Sequence, residues 1–325
     1  MIGEPWFWRE KTFAARAVRA GLAPLAFAYE KGGALRRRWT TPWRASVPVI
    51  CVGNATVGGV GKTPFAIMIA RLLAENGVSP HFLSRGYGGE LKGPIRVDGS
   101  AHTAREVGDE PLLLARAAPT WVSRSKRAGA EAAIAAGAEA IIMDDGFQNP
   151  TLAKDVSILL IDERSDGSEK IFPAGPMREP MDAARTRADM VVAVSAKQGG
   201  DSPHADFAAW LEPARDNEAG RVVAFCGIAR PERFFAALER ADFDIADAIA
   251  FPDHYAYSRK NIAALLDRAK RLKARIITTE KDWVRIAPDQ QDLVDTFPVR
   301  MKISDADAFK AALLSRFKNF REPVS

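Results

Sequence analysis

At 325 residues, 47% apolar and 27% charged, the chain has room for a large α/β domain and a smaller one, and its composition excludes disorder or a disulfide scaffold. The cysteines, Cys51 and Cys226, lie in apolar runs and read as buried thiols of a reducing compartment, and the four histidines lack zinc-site spacing. The net charge of +5 is uneven: through Ala45 nine basic residues face three acidic ones, which points to an anionic surface as partner and not to nucleic acid.

Residues 5–30 are expected to form an amphipathic helix. Phe7, Ala14, Val18, Leu22 and Leu25 share one face, Arg9, Arg16 and Arg19 lie opposite, Pro5 suits the first turn, and Pro24 should end or kink the helix. Trp6, Phe7 and Trp8 before it, and Arg36-Arg37-Arg38-Trp39 with Trp43 after it, suit the headgroup zone of a membrane. The alternative is a helix docked on its own domain with a solvated basic face. No apolar run approaches the ~20 residues that span a bilayer, and the N-terminal stretch lacks a secretory cleavage signal, so a cytoplasmic protein is expected.

From Val47 strands and helices alternate, the pattern of a parallel sheet. Strand Val47–Val52 runs into Thr56-Val57-Gly58-Gly59-Val60-Gly61-Lys62-Thr63, and a helix follows over 64–76. This is the strand–loop–helix setting of a phosphate-binding P-loop: backbone N–H groups surround an anion, Lys62 reaches the outer phosphates and the Thr63 hydroxyl serves Mg²⁺. Thr56 stands where the common pattern has glycine. The Gly-Gly-x-Gly-Lys-Thr core resembles that of partitioning-type ATPases, but Val57 replaces their additional lysine.

Strand His81–Ser84 ends in Arg85-Gly86-Tyr87-Gly88-Gly89, at the edge where open α/β sheets bind ligands. Gly108-Asp109-Glu110-Pro111 opens a helix with two acids, a placement that capping alone also explains. After a strand at 117–122 and Ser123-Arg124-Ser125-Lys126-Arg127, a helix spans 128–136. Strand 140–143 then ends in Asp144-Asp145-Gly146-Phe147-Gln148, where a strand-end acid can hold Mg²⁺ or its water. Strand 156–161 precedes Phe172–Pro180, a Pro- and Gly-rich loop whose Arg178-Glu179 pair is either a site wall or a structural ion pair. Strand 190–194 leads to Ser195-Ala196-Lys197, a triplet also found in GTPases and here without the guanine-reading motif.

The polar segment 201–220, broken by Pro203 and Pro213, is the expected domain boundary. Beyond it come strand 221–226, helix 232–239, a loop from Ala248 to Tyr255 carrying His254, a helix capped by Ser258, strand 275–279, a last strand 297–303 and a helix over 305–317. His254, among aromatics and Asp253, is open to a surface or a catalytic reading.

Together these motifs resemble the tetraacyldisaccharide 4′-kinase family over nearly the whole chain. The resemblance rests on Val52-Gly53-Asn54 with the loop through Pro64, on Ser84–Gly88, Gly108–Pro111, Asp144–Gln148, Pro173–Pro180, Phe251–Tyr255 and Thr279–Asp282, and within it Thr56 and Val57 are family traits. It implies a P-loop NTPase-like, mostly parallel α/β domain (46–212), a smaller C-terminal α/β domain (213–325) and an amphipathic membrane-associating segment (1–45). The implied reaction moves the ATP γ-phosphate to the 4′-hydroxyl of tetraacyldisaccharide 1-phosphate, giving lipid IVA, on the cytoplasmic face of the inner membrane; a monomer is expected. By position, Asp109 would be the base with His254 as its partner, and Lys62 would stabilise phosphate charge. Residues 56–63 with Arg127 and Arg178 would line the ATP site; Thr63, Glu110, Asp144, Asp145 and Glu179 would surround Mg²⁺. The runner-up is a membrane-associated switch ATPase of the partitioning type; a soluble sugar kinase leaves the basic aromatic arm unexplained.

Overall fold

The computed structural model describes residues 5–8, 10–163, 169–195, 204–214 and 218–321, the side chains of 317–321 excepted. A short 3-10 turn at Trp6–Trp8 precedes α1, Phe13–Trp39, which Thr12 caps by accepting from the Ala15 N–H. Then follow β1 (Val49–Asn54), α2 (Lys62–Glu75), β2 (Pro80–Ser84), β3 (Ile95–Arg96), α3 (Ala104–Val107), α4 (Asp109–Ala115), β4 (Thr120–Val122), α5 (Lys126–Ala135), β5 (Ala140–Asp144), β6 (Val156–Asp162), α6 (Met181–Arg185), β7 (Met190–Ser195) and β8 (Phe207–Pro213). The chain continues through β9 (Arg221–Cys226), α7 (Pro231–Arg240), β10 (Asp244–Ala250), α8 (Arg259–Leu272), β11 (Arg275–Thr279), α9 (Glu280–Trp283), α10 (Pro288–Gln291), β12 (Asp295–Phe297), β13 (Val299–Ile303) and α11 (Ala306–Arg321).

Nine strands form one sheet in the order β13-β8-β7-β6-β1-β5-β2-β4-β3, and four form a second in the order β10-β9-β11-β12. In the large sheet only the edge strands β13 and β3 run antiparallel to their neighbours. β1 is central. The early strands build outward on its β5 side and the later ones on its β6 side, so the order reverses beside β1, where such sheets form their ligand crevice. One face buries Ile50, Val52, Ile142 and Ile158 under α2 (Phe65, Ile69, Leu73) and α11 (Phe309, Leu313). The other buries Cys51, Leu83, Ile141 and Met143 under α5 (Ala130, Ala133) and α6 (Met181, Ala184). The all-parallel smaller sheet lies between α8 and α7.

Several expectations are corrected. The polar stretch 201–220 contains β8, an apolar run over 207–211 that pairs with β7 and β13 and meets Pro213 only at its end; residues 201–203 and 215–217 lie outside those described. Ala196 and Lys197 of the GTPase-like triplet also lie outside them. Ala248–Ala250, assigned to a loop, belong to β10. The single strand 297–303 is two: at Pro298, which has no N–H to give a ladder, the chain passes from the small sheet (β12) to the large one (β13). The smaller sheet is therefore complete at Phe297, and the chain from Val299 onward belongs to the large sheet instead of to a C-terminal domain.

The N-terminal helix starts later than expected and runs straight past Pro24. Pro24 and Ala20 are both exposed, so the carbonyl that loses its partner faces water. Its docked side is also not the expected apolar one. Ala15, Arg19, Leu22, Ala26, Gly33 and Arg37 turn inward, while Phe13, Leu25, Phe27, Leu35 and Trp39 are exposed. Among the described residues no helix is long and apolar enough to cross a membrane.

Candidate active site

The P-loop lies between central β1 and α2. Gly61 caps α2 with φ +84°, in the left-handed region that glycine enters without strain, and this turns the following N–H groups toward the loop's interior. Lys62 folds back over the loop: its Nζ donates to Asn54 Oδ1 at 3.1 Å and to the Gly58 carbonyl at 3.3 Å. The loop is fastened to the Pro-rich segment. The Val57 N–H donates to the Pro176 carbonyl and the Arg178 N–H to the Ala55 carbonyl, both at 2.7 Å, and Thr56 bridges Met177. Two peptide segments without regular structure thus satisfy each other's backbone groups and hold the loop in place.

Arg178, on that segment, donates from both terminal nitrogens to Asp145 at 3.0–3.2 Å, and Lys62 stands 3.7 Å from the same carboxylate. Asp145 is thereby the counter-charge that holds two cations over the loop. Asp144, one residue earlier and buried, accepts from the Thr63 hydroxyl at 3.1 Å through Oδ2, while its Oδ1 is enclosed without a hydrogen-bond partner. Burial, then the charge of Asp145, pushes the Asp144 carboxyl up to about 7, against the pull of Lys62.

Two expected members take other places. Glu179 is buried, with Oε1 accepting from Gln148 at 3.1 Å and Oε2 from Arg187 at 2.7 Å, and Arg37 of α1 is 3.4 Å from Oε2. With both oxygens taken by cations and an amide, it is a structural anchor for α1 and not a metal ligand. Arg127 is exposed, pairs with Glu131 at 2.8 Å and lies over the Trp43 ring. Its neighbour Lys126 turns inward instead. Lys126 shares the buried side of α5 with Ala130 and Ala133, four and seven positions on, whereas Arg127 and Glu131 pair outward at four.

The second half of the site joins the two sheets. Gly108 has φ +91°, and a Cβ there would meet the Tyr87 carbonyl at 2.7 Å, so glycine alone lets the chain turn and present Asp109 at the start of α4. Asp109 is buried, and its Oδ2 lies 2.9 Å from His254 Nδ1, on the loop after β10. It also accepts from Arg285, with Nε at 2.9 Å and a second contact from Nη2. Arg285 in turn donates from Nη1 to Asp282 Oδ1 at 2.9 Å and to the Gly227 carbonyl at 2.8 Å. The fully buried Asp282 also accepts from the Gly227 N–H, the Tyr257 hydroxyl and the Thr279 hydroxyl. Lys281 completes the group, 2.9 Å from Glu110 and 3.3 Å from His254 Nε2.

Burial opposes ionisation of Asp109, yet hydrogen bonds from His254 and at Glu110, with the charges of Lys281 and Arg285, hold its carboxyl well below the usual carboxylate range. Burial raises Glu110. The charge of Glu110 is felt at Asp144, which links this cluster to the phosphate loop.

The structure thus brings Asp109 to His254, as the family resemblance implies, and Thr63 to Asp144, as the loop and strand-end motifs predict. It pairs Glu110 with Lys281 and Asp145 with Arg178 and Lys62. Arg285, Lys126, Asn54 and Gln148 are additions. Arg285 had a signal, since it lies three residues after Asp282 on one helical turn; Asn54 and Gln148 had none beyond their motif neighbours.

The family described as LpxK, Tetraacyldisaccharide-1-P 4'-kinase, matches residues 18–318. A Tetraacyldisaccharide 4'-kinase of Parvibaculum lavamentivorans is 48% identical over 297 residues, 87% of this chain and 86% of the relative. One of Caulobacter vibrioides is 43% identical over 330 residues, 96% of this chain and 98% of the relative. The crystal structure of the "apo" form of LpxK from Aquifex aeolicus in complex with ATP superposes with a TM-score of 0.75 at 26% identity, covering 92% of this chain and 99% of that one. With the P-loop and the Asp109–His254 pair in place, these likenesses make the chain a member of the tetraacyldisaccharide-1-P 4′-kinase family.

Proposed function

We propose that this protein transfers the γ-phosphoryl group of ATP to the 4′-hydroxyl of tetraacyldisaccharide 1-phosphate, forming lipid IVA in lipid A biosynthesis. One observation carries the reading: Asp109, paired with the His254 imidazole at 2.9 Å, opens α4, which packs against α2, the helix that follows the phosphate loop. In the step proposed, the 4′-oxygen attacks the γ-phosphorus, the bond to the β-phosphate oxygen breaks, ADP leaves, and the hydroxyl proton passes to Asp109. A loose phosphoryl-transfer transition state keeps that proton on the hydroxyl until late, so a weakly basic carboxylate suffices if it is well placed. His254, Arg285 and Lys281 place it. Lys62 and the loop N–H groups orient the outer phosphates.

Mg²⁺ fits this site. Asp144 Oδ1 is a buried, unpartnered hard donor, and the Thr63 hydroxyl is next to it. Thr63 and Asp144 would hold the ion; Asp145 and Glu110 add negative charge nearby while paired to basic residues. When bound, the ion neutralises phosphate charge.

The exposed apolar side of α1, with Arg36 and Arg38 beside it, supports a peripheral position on the cytoplasmic face of the inner membrane, where an acylated, anionic acceptor would reside; the protein would act there as a monomer. The deciding assay is purified protein with Mg-ATP and tetraacyldisaccharide 1-phosphate in detergent. A 4′-phosphorylated product is expected; ATP turnover without one would overturn the reading.

A further inference from the structure

Lys126 is a buried ammonium without a hydrogen-bond partner, the only such cation among the described residues. It begins α5, the ten-residue helix after β4, at the sheet edge where β2 ends at Ser84 before Arg85 and β5 ends at Asp144. Lys154 shows that burial need not leave a lysine unpartnered here: it donates to the Phe147 carbonyl at 2.7 Å and lies over the Phe147 ring. Lys126 has neither kind of contact. It feels the charges of Asp144 and Asp145 but bonds to neither, and exposed Arg85 repels it.

An unpaired buried charge is costly unless something of opposite charge fills the gap. A desolvated cation at this edge of the sheet, with a second cation close enough to repel it, suits a ligand with several anionic oxygens. We propose that Lys126 is a phosphate-binding residue of the active site, its ammonium donating to a phosphate oxygen of a bound substrate. The phosphate is either the γ-phosphate of ATP or the phosphate of the acceptor. The inference rests on the kinase reading for its second source only.

The test uses the full chain with Lys126→Met and Lys126→Arg. Binding of ADP, of a non-hydrolysable ATP analogue and of tetraacyldisaccharide 1-phosphate is measured by calorimetry, and melting is followed without ligand. A contact to the γ-phosphate weakens the Met variant's affinity for the ATP analogue by about ten- to a hundredfold while ADP binding stays unchanged. A contact to the acceptor weakens the acceptor instead by a similar factor. In both cases Lys126→Arg recovers part of the loss, and the Met variant melts no lower than the wild type, because an apolar chain of similar length replaces an unpaired charge. Unchanged affinity for all three ligands overturns the proposal. So does a Met variant that melts lower or does not fold, since the lysine then supports the fold. A wild type that phosphorylates no acceptor would remove the kinase reading, whereas the nucleotide arm would still report on Lys126.

Discussion

Around Asp109 every charge has a partner, whereas around the P-loop two buried polar groups, Asp144 Oδ1 and Lys126 Nζ, have none. The first cluster joins the two sheets through Arg285 and the saturated carboxylate of Asp282; the second lies where the large sheet reverses its strand order. The contrast separates two tasks. A saturated network holds its geometry before any substrate arrives, which suits a base that must meet a hydroxyl in one orientation. Unsatisfied groups cost free energy until a ligand meets them, which suits a site for a metal ion and phosphates.

The largest expected break comes from Asp109→Asn. Turnover should fall by about 10²–10⁴-fold with nucleotide affinity nearly unchanged, as single-turnover assays and calorimetry would show. A variant that instead loses ATP affinity and keeps turnover would move Asp109 to the nucleotide half. Asp144→Asn removes charge from the unsatisfied half. Turnover should drop on the order of a hundredfold, and the Mg²⁺ concentration for half-maximal rate should rise, with metal-free ADP binding little altered.

Stability sets the halves apart with opposite signs. Arg285→Met leaves Asp109 and Asp282 buried without their cation, at a cost of about 3–5 kcal/mol in urea unfolding. Lys126→Met should cost nothing. A neutral Arg285→Met would mean that the clasp between the sheets is not a framework.

On α1, Leu25→Ser with Phe27→Ser should weaken binding to anionic vesicles by about tenfold per residue, from the apolar burial each side chain loses, and leave the detergent assay intact. Equal binding would place that face elsewhere than on lipid.

The smallest effects are in pH. Lys126 titrates near about 8 in the fold against 10.5 ordinarily, mainly because of burial, so the unfolded chain binds more protons between those values. Its penalty is full below pH 8 and fades toward 10.5, so wild-type stability should rise relative to Lys126→Met across that window. Asp109 behaves oppositely. Its folded value lies below the ordinary 3.8, so its contribution is present above that pH and is lost as acid is added, a loss that Asp109→Asn should not show.

Local chemistry was legible where one segment contains its own explanation. The glycines of the P-loop, Gly108 before its acids and the strand-end Asp144 each follow from backbone geometry over a few residues, and the family resemblance paired Asp109 with His254 although they lie 145 positions apart. Choices between adjacent residues were less legible. Lys126 and Arg127 are both basic, and helical phase against Ala130 and Ala133 decides which one is buried. Glu179 resembles a metal ligand until Arg37, from a helix far earlier in the chain, and Arg187 occupy it.

By itself the sequence determined the alternation of strands and helices and the phosphate loop, because each depends on side-chain type at short spacing; the acid–imidazole pair came from the family resemblance. Only the tertiary structure decided that Pro298 carries the chain back to the large sheet, that α1 turns its apolar side outward, and which buried charges find partners. Those outcomes depend on long-range neighbours that no local pattern encodes. The same site therefore holds one cluster with all its charges paired and another with two groups left open to ligands.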